Sequence, residues 1–85
     1  MNLHAYLKSA DRGEASRLAR DVAISPTMIS QYAAGAKTPA PHTAASIERA
    51  TRCAVMRWDL RDDWREIWPE LASRPDAPAE RKVEP

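Results

Sequence analysis

Phenylalanine is absent from this 85-residue chain, glycine occurs twice, cysteine once, and aromatic residues make up only 6% of it. With so few sheet-favouring side chains beside abundant alanine, the composition predicts an all-α fold. A chain this short has room for one domain, and such a domain buries only about 60% of the surface its unfolded form exposes. A deep cleft between subdomains is therefore not expected, and neither is an enzyme. The single Cys53 excludes an internal disulfide and any multi-cysteine metal site. No charged-then-apolar leader opens the sequence, so a reducing, cytoplasmic setting is expected. No apolar run approaches the ~18 to 20 residues needed to cross a bilayer, so a soluble protein without a membrane partner is expected. Nothing in the sequence calls for a metal or a cofactor.

Net charge is also small, at +1, but it is unevenly spread. Residues 1–57 carry eight Lys/Arg against four Asp/Glu, and residues 58–85 carry five against eight, which gives +4 and −3. That division fits a basic working face followed by an acidic end.

What the chain does contain is helical periodicity broken at short intervals. Leu3, Tyr6, Leu7 and Ala10 recur at helical spacing behind Asn2, a good N-cap, and Asp11-Arg12-Gly13 ends that helix near residue 10. From Glu14, the positions Ala15, Leu18, Ala19 and Val22 form a second apolar stripe. Ser25-Pro26 reads as an N-cap followed by proline at the first helical position, so a third helix is expected over 26–34 with Gly35 as its left-handed cap. The prolines of Lys37-Thr38-Pro39-Ala40-Pro41 predict an extended connection. A fourth helix should run from Pro41 or His42 to about Arg52 and a fifth from Asp62 to Trp68, ended by Pro69. Residues 1–71 are thus expected to form one domain. Residues 72–85, with three prolines and one large aliphatic side chain, should form a disordered acidic tail that cannot offset its ordering entropy.

Two short helices joined by about three residues, the second cleanly capped, meet the requirements of a helix-turn-helix motif. Ala15, Leu18, Ala19, Val22, Ile24, Ile29 and Tyr32 supply one inward set, and small Ala19 sits where the helices must approach. The run from Glu14 to Tyr32 resembles phage Cro/CI-type helix-turn-helix proteins. Ile47 to Thr51, Leu60 to Trp64 and Ile67 to Leu71 resemble the Cro-like YdaS-antitoxin branch of that superfamily, so the likeness spans residues 3–71. It implies a compact five-helix, lambda-repressor-like fold, bacterial or phage-encoded and nucleoid-associated when on DNA. The sequence departs from the family pattern at Ala23 and at Arg52-Cys53, where glycines are usual, and at Asp62, where proline is common.

Rotation of about 100° per residue assigns the faces of the third helix. With Ile29, Tyr32 and Ala33 inward, Thr27, Gln31 and Ala34 point away, flanked by Met28 and Ser30, with Pro26 at the start. These six residues are the expected base contacts: a glutamine amide can pair with adenine, and methyl groups suit thymine. Ser16, Arg17, Ser25, Lys37 and Thr38 flank that helix and are the expected phosphate contacts. One such motif buries little DNA surface, so a homodimer on a double-stranded operator is expected. Trp58, Leu60, Trp64, Ile67 and Trp68 are the candidate interface, although these side chains could equally close the monomer core. Two functions fit: a Cro-like transcriptional repressor, or an antitoxin that folds its tail onto a toxin partner and autoregulates its promoter.

Overall fold

The computed structural model describes residues 1–78, and among them six α-helices and one 3₁₀ helix occur and no strand. Helix α1 spans Leu3–Ser9 and starts where the Asn2 side chain accepts the Ala5 N–H at 2.8 Å. Helix α2, Glu14–Val22, follows Gly13, which holds a left-handed φ of 92°. Helix α3, Pro26–Ala33, starts at Ser25, whose hydroxyl accepts the Met28 N–H at 3.2 Å. Helix α4, Pro41–Ala50, begins with its proline in the first turn, where no intrahelical partner for an N–H is needed.

Three of these helices end in the same way. An N–H two or three residues past the helix end reaches back five residues: Ile24 to the Ala19 carbonyl (2.9 Å), Ala36 to Gln31 (2.9 Å) and Cys53 to Glu48 (2.8 Å). Each closure needs a left-handed residue just before the returning N–H. Those residues are Ala23 (φ 64°), Gly35 (φ 77°) and Arg52 (φ 54°), and Cys53 is left-handed as well (φ 66°). The three positions at which the family pattern has glycine and this chain does not therefore keep the backbone that glycine favours.

Leu3, Leu18, Ala19, Ile29, Ile47 and Val55 form the buried core, and Tyr6, Leu7, Val22, Ile24, Tyr32 and Leu60 pack around it. Each large core side chain removed from water stabilises the fold by about 1.5–3 kcal/mol. Ala19 is buried at the α2–α3 crossing, as the spacing predicts. Pro39, fully buried, pins the connection between α3 and α4, and its carbonyl accepts a hydrogen bond from Arg61 Nη1 at 2.6 Å.

The C-terminal third differs from expectation. Instead of one fifth helix over Asp62–Trp68 there are two single-turn helices, α5 (Arg57–Leu60) and α6 (Trp64–Ile67). Asp59 creates the first of them, since its carboxylate accepts the Met56 N–H (2.9 Å) while its own N–H donates to the Met56 carbonyl (2.9 Å). Arg61, extended and forked onto both Asp63 oxygens (2.8 and 2.9 Å), separates the two turns. Pro69 ends α6 and starts the 3₁₀ helix Pro69–Ser73, which buries Leu71. Of the expected tail, residues 72–78 follow a described path back toward Arg65, whose Nη2 donates to the Pro78 carbonyl at 2.8 Å; residues 79–85 lie outside the described residues. No described helix is long and apolar enough to cross a membrane.

A left-handed non-glycine residue costs about 1–2 kcal/mol, partly offset by the smaller unfolded-state entropy it brings. Ala23→Gly and Arg52→Gly should each therefore stabilise the protein by about 0.5–1 kcal/mol, read as a higher urea midpoint at unchanged slope. A lower midpoint in both variants would contradict the left-handed geometry.

Candidate nucleic-acid interface

The α2–turn–α3 unit presents one uncharged polar face. Pro26, Thr27 and Ser30 are exposed along α3, as is Ala34 at its C-cap, and Met28 is half-buried at the flank. The helix carries no charged side chain, so nothing on this face repels or attracts an anion except its own polar groups and N-terminal N–H groups. Ser25 is exposed, but its hydroxyl is already engaged in the cap, which leaves its remaining capacity as a donor.

Gln31 departs from the outward position expected of it. The residue is half-buried, and its Oε1 is shut off from solvent with no hydrogen-bond partner among the described residues. Bidentate pairing with adenine needs both the oxygen and the nitrogen of the amide, so in this conformation Gln31 offers no such pair. The 100° wheel missed this because half-buried positions at the edge of a helix face are decided by neighbouring side chains, not by angle alone.

Arg17 is likewise committed elsewhere. Its Nε and Nη2 fork onto Glu14 (2.6 and 2.5 Å), Nη1 bonds Asp21 (2.6 Å), and Nη2 also reaches the Ala50 carbonyl at the end of α4 (3.2 Å). The Tyr6 hydroxyl donates to the same Glu14 carboxylate. Hydrogen bonds from Arg17, and secondarily from Tyr6, hold the Glu14 carboxyl down at about 2 despite its partial burial. The guanidinium thus links α1, α2 and α4, and a phosphate would have to compete with two carboxylates for it. The i, i+3 and i, i+4 spacing of Glu14, Arg17 and Asp21 was visible in the sequence. The arrival of Tyr6 and Ala50 was not, because both come from other helices.

Ser16 is exposed on α2, and Lys37 and Thr38 are exposed on the connection that Pro39 anchors. Lys37 makes no ion pair with a described residue, and Arg20 and Arg49 are exposed and equally without one. The structure therefore brings Thr27, Ser30 and Ala34 onto one open face and leaves Lys37 without an ion-pair partner among the described residues.

The tryptophan segment is largely consumed inside the monomer. Trp64 is buried, while Trp58, Leu60, Ile67 and Trp68 are half-buried. Trp58 and Trp64 pack with ring centroids 5.6 Å apart, tilted by 59°. Arg57 covers the Trp68 ring at 5.0 Å, Arg65 the Trp64 ring at 4.5 Å and Arg74 the Trp58 ring at 5.8 Å. Arg57 also lies beside Glu48, 3.2 Å between Nε and Oε2, an ion pair without a well-directed hydrogen bond at that nitrogen.

A family model described as bacterial toxin YdaS matches residues 9–69, which include α2 through α6. No curated protein matches the sequence.

Two measurements test these placements. Because the folded Glu14 carboxyl titrates at about 2, below its ordinary 4.5, its contribution to stability is complete above pH 4.5 and drains away as pH falls toward 2. Glu14→Gln should flatten that part of the stability profile in urea titrations, and an unchanged profile would refute the network. Gln31→Met removes the stranded oxygen and should stabilise the fold by about 1 kcal/mol; a destabilised variant would mean that the oxygen has a partner in solution.

Proposed function

The chain belongs to the bacterial toxin YdaS family, and we propose that it acts as a sequence-specific DNA-binding regulator of the Cro/CI helix-turn-helix type, without catalytic activity. In this reading α2 and α3 are the motif of a lambda-repressor-like domain, and a homodimer occupies a two-fold operator in the cytoplasm. One observation carries the proposal. A helix capped by Ser25 and begun by Pro26 turns an uncharged face of Thr27, Ser30 and Ala34 outward, immediately after a three-residue turn from α2. Such a face suits a major groove, where hydroxyls reach base edges and methyl groups meet thymine, and where an acidic side chain would be repelled.

The phosphate contacts are drawn from Lys37, Thr38, Ser16 and the N-terminal groups of α3, which flank that face. Arg17 acts in this reading mainly as the tie that sets α2 against α4, so it positions the motif more than it neutralises phosphate. Gln31 reads a base only after its amide turns outward and gives up its half-buried position.

A second reading draws on the family description, which names a toxin. The chain would then belong to a toxin–antitoxin pair, with the partner protein bound elsewhere on the molecule and DNA binding reserved for autoregulation. Both readings need the same α3 face. A pull-down from cells carrying the neighbouring open reading frames separates them, since only the second requires a stable protein partner.

The regulator reading predicts a gel shift on a palindromic site beside its own gene, with affinity falling steeply as salt rises. Thr27→Ala should cost about 1–3 kcal/mol on that site and little on random DNA. Lys37→Ala should weaken both alike and reduce the slope of log affinity against log salt by about 1. Equal affinity of the parent protein for operator and random DNA would remove the basis of the proposal.

A further inference from the structure

Lys37 and Thr38, the phosphate contacts of the regulator reading, lie on a short bridge between α3 and α4. Its upstream end is fixed where the Ala36 and Lys37 N–H groups both donate to the Gln31 carbonyl (2.9 and 3.3 Å). Downstream, Pro39 and Pro41 carry no N–H. The tie is made instead through the Pro39 carbonyl, which accepts a hydrogen bond from Arg61 Nη1 at 2.6 Å. Burial of the Pro39 ring fixes that residue but not the exposed pair before it. Among the described residues, Thr38 lines two cavities, of about 340 and 320 Å³, so the bridge spans open space at this point.

Arg61 is itself held in place for this task. It is the extended residue after α5, and Asp63 takes its Nε and Nη2 (2.8 and 2.9 Å), which leaves Nη1 for the bridge. The Arg61 side chain is only 19% exposed, so water competes poorly for the bond. The hydrogen bonds of the fork hold the Asp63 carboxyl below its ordinary range and raise Arg61, so both groups stay charged at neutral pH.

We infer that Arg61 is a positioning residue for the nucleic-acid interface: its bond to the Pro39 carbonyl holds the bridge so that Lys37 and Thr38 meet the phosphates flanking α3. The inference rests on the regulator reading of the α3 face. Position matters here because Lys37 lines the larger cavity together with Asp59 and Asp62. A slack bridge lets the ammonium settle toward those carboxylates, and the phosphate contact is lost although Lys37 is still present.

The test uses the full-length chain, with backbone nitrogen relaxation of the free protein and salt-dependent binding to the palindromic site and to random duplex. Arg61→Ala should lower the order parameters of Lys37 and Thr38 and leave those of α3 unchanged. It should weaken binding to both duplexes by about fivefold at physiological salt and reduce the slope of log affinity against log salt by about 1, the loss of one phosphate contact. In a Lys37→Ala background the same change should cost nothing further, whereas an Arg61 that touched phosphate directly would cost a second, equal step. Asp63→Ala separates position from charge. Removing a carboxylate would by charge alone tighten DNA binding, but releasing Arg61 from its fork should weaken it. Tighter binding by Asp63→Ala, additive losses in the double variant, or unchanged order parameters in Arg61→Ala would each overturn the inference. If the parent binds the palindrome no better than random DNA, the regulator reading fails, and the relaxation measurement still decides whether Arg61 holds the bridge.

Discussion

The left-handed backbone at Ala23 fixes the direction in which α3 leaves α2. The Ile24 N–H must return to the Ala19 carbonyl (2.9 Å), and only a positive φ at Ala23 brings it there. Once that bond is made, Ile24 and Ile29 face Leu18 and Ala19, and the Ser25 cap starts α3 with no slack in the connection. The outward face of α3 is thus a consequence of the turn. The same device recurs at Gly35 and Arg52, so the directions of α3, the proline-rich connection and α5 all rest on three repeated helix endings.

Reading these endings from the sequence succeeds or fails on one residue type. Gly35 announces its role, because a glycine placed just after an apolar-periodic run marks a left-handed helix end. Ala23 and Arg52 carry no such signal, and only the short spacing between periodic segments betrays that a sharp reversal must occur. The first four helices were legible because each couples an apolar stripe to a cap or a proline. The division of the last into α5 and α6 was not, since it depends on a four-residue loop of hydrogen bonds around Asp59 and on the Arg61–Asp63 fork. A charged side chain that satisfies backbone groups looks the same in sequence as one that faces water.

That ambiguity also explains why Arg17 and Gln31 lie differently from the outward placement expected of them. Arg17 and Gln31 sit at positions where a solvent-facing role and a packing role are compatible with the same spacing. For Arg17 the outcome follows from magnitude: a bidentate bond to a half-buried carboxylate, reinforced by Tyr6 and a helix-terminal carbonyl, exceeds what an exposed cation gains from solvent. For Gln31 the burial of Oε1 without a partner among the described residues is locally unfavourable.

Charge distribution connects the two ends of the molecule. The acidic excess after residue 57 is not spread as a uniform repulsive surface, because Asp59 and Asp63 are drawn into capping and forked pairs and Asp76 into the Arg74 pair. Three arginines in or beside that region are in turn drawn onto indole faces: Arg57, Arg65 and Arg74 each cover one tryptophan. Among the described residues, the positive charge of the C-terminal third is therefore committed to closing the fold, whereas Arg20, Lys37 and Arg49 in the N-terminal two-thirds make no ion pair with a described residue. The net charge of +1 conceals this division of labour. Among the described residues, the cations with neither an ion pair nor an indole partner all lie in the N-terminal two-thirds of the chain, which also contains α3.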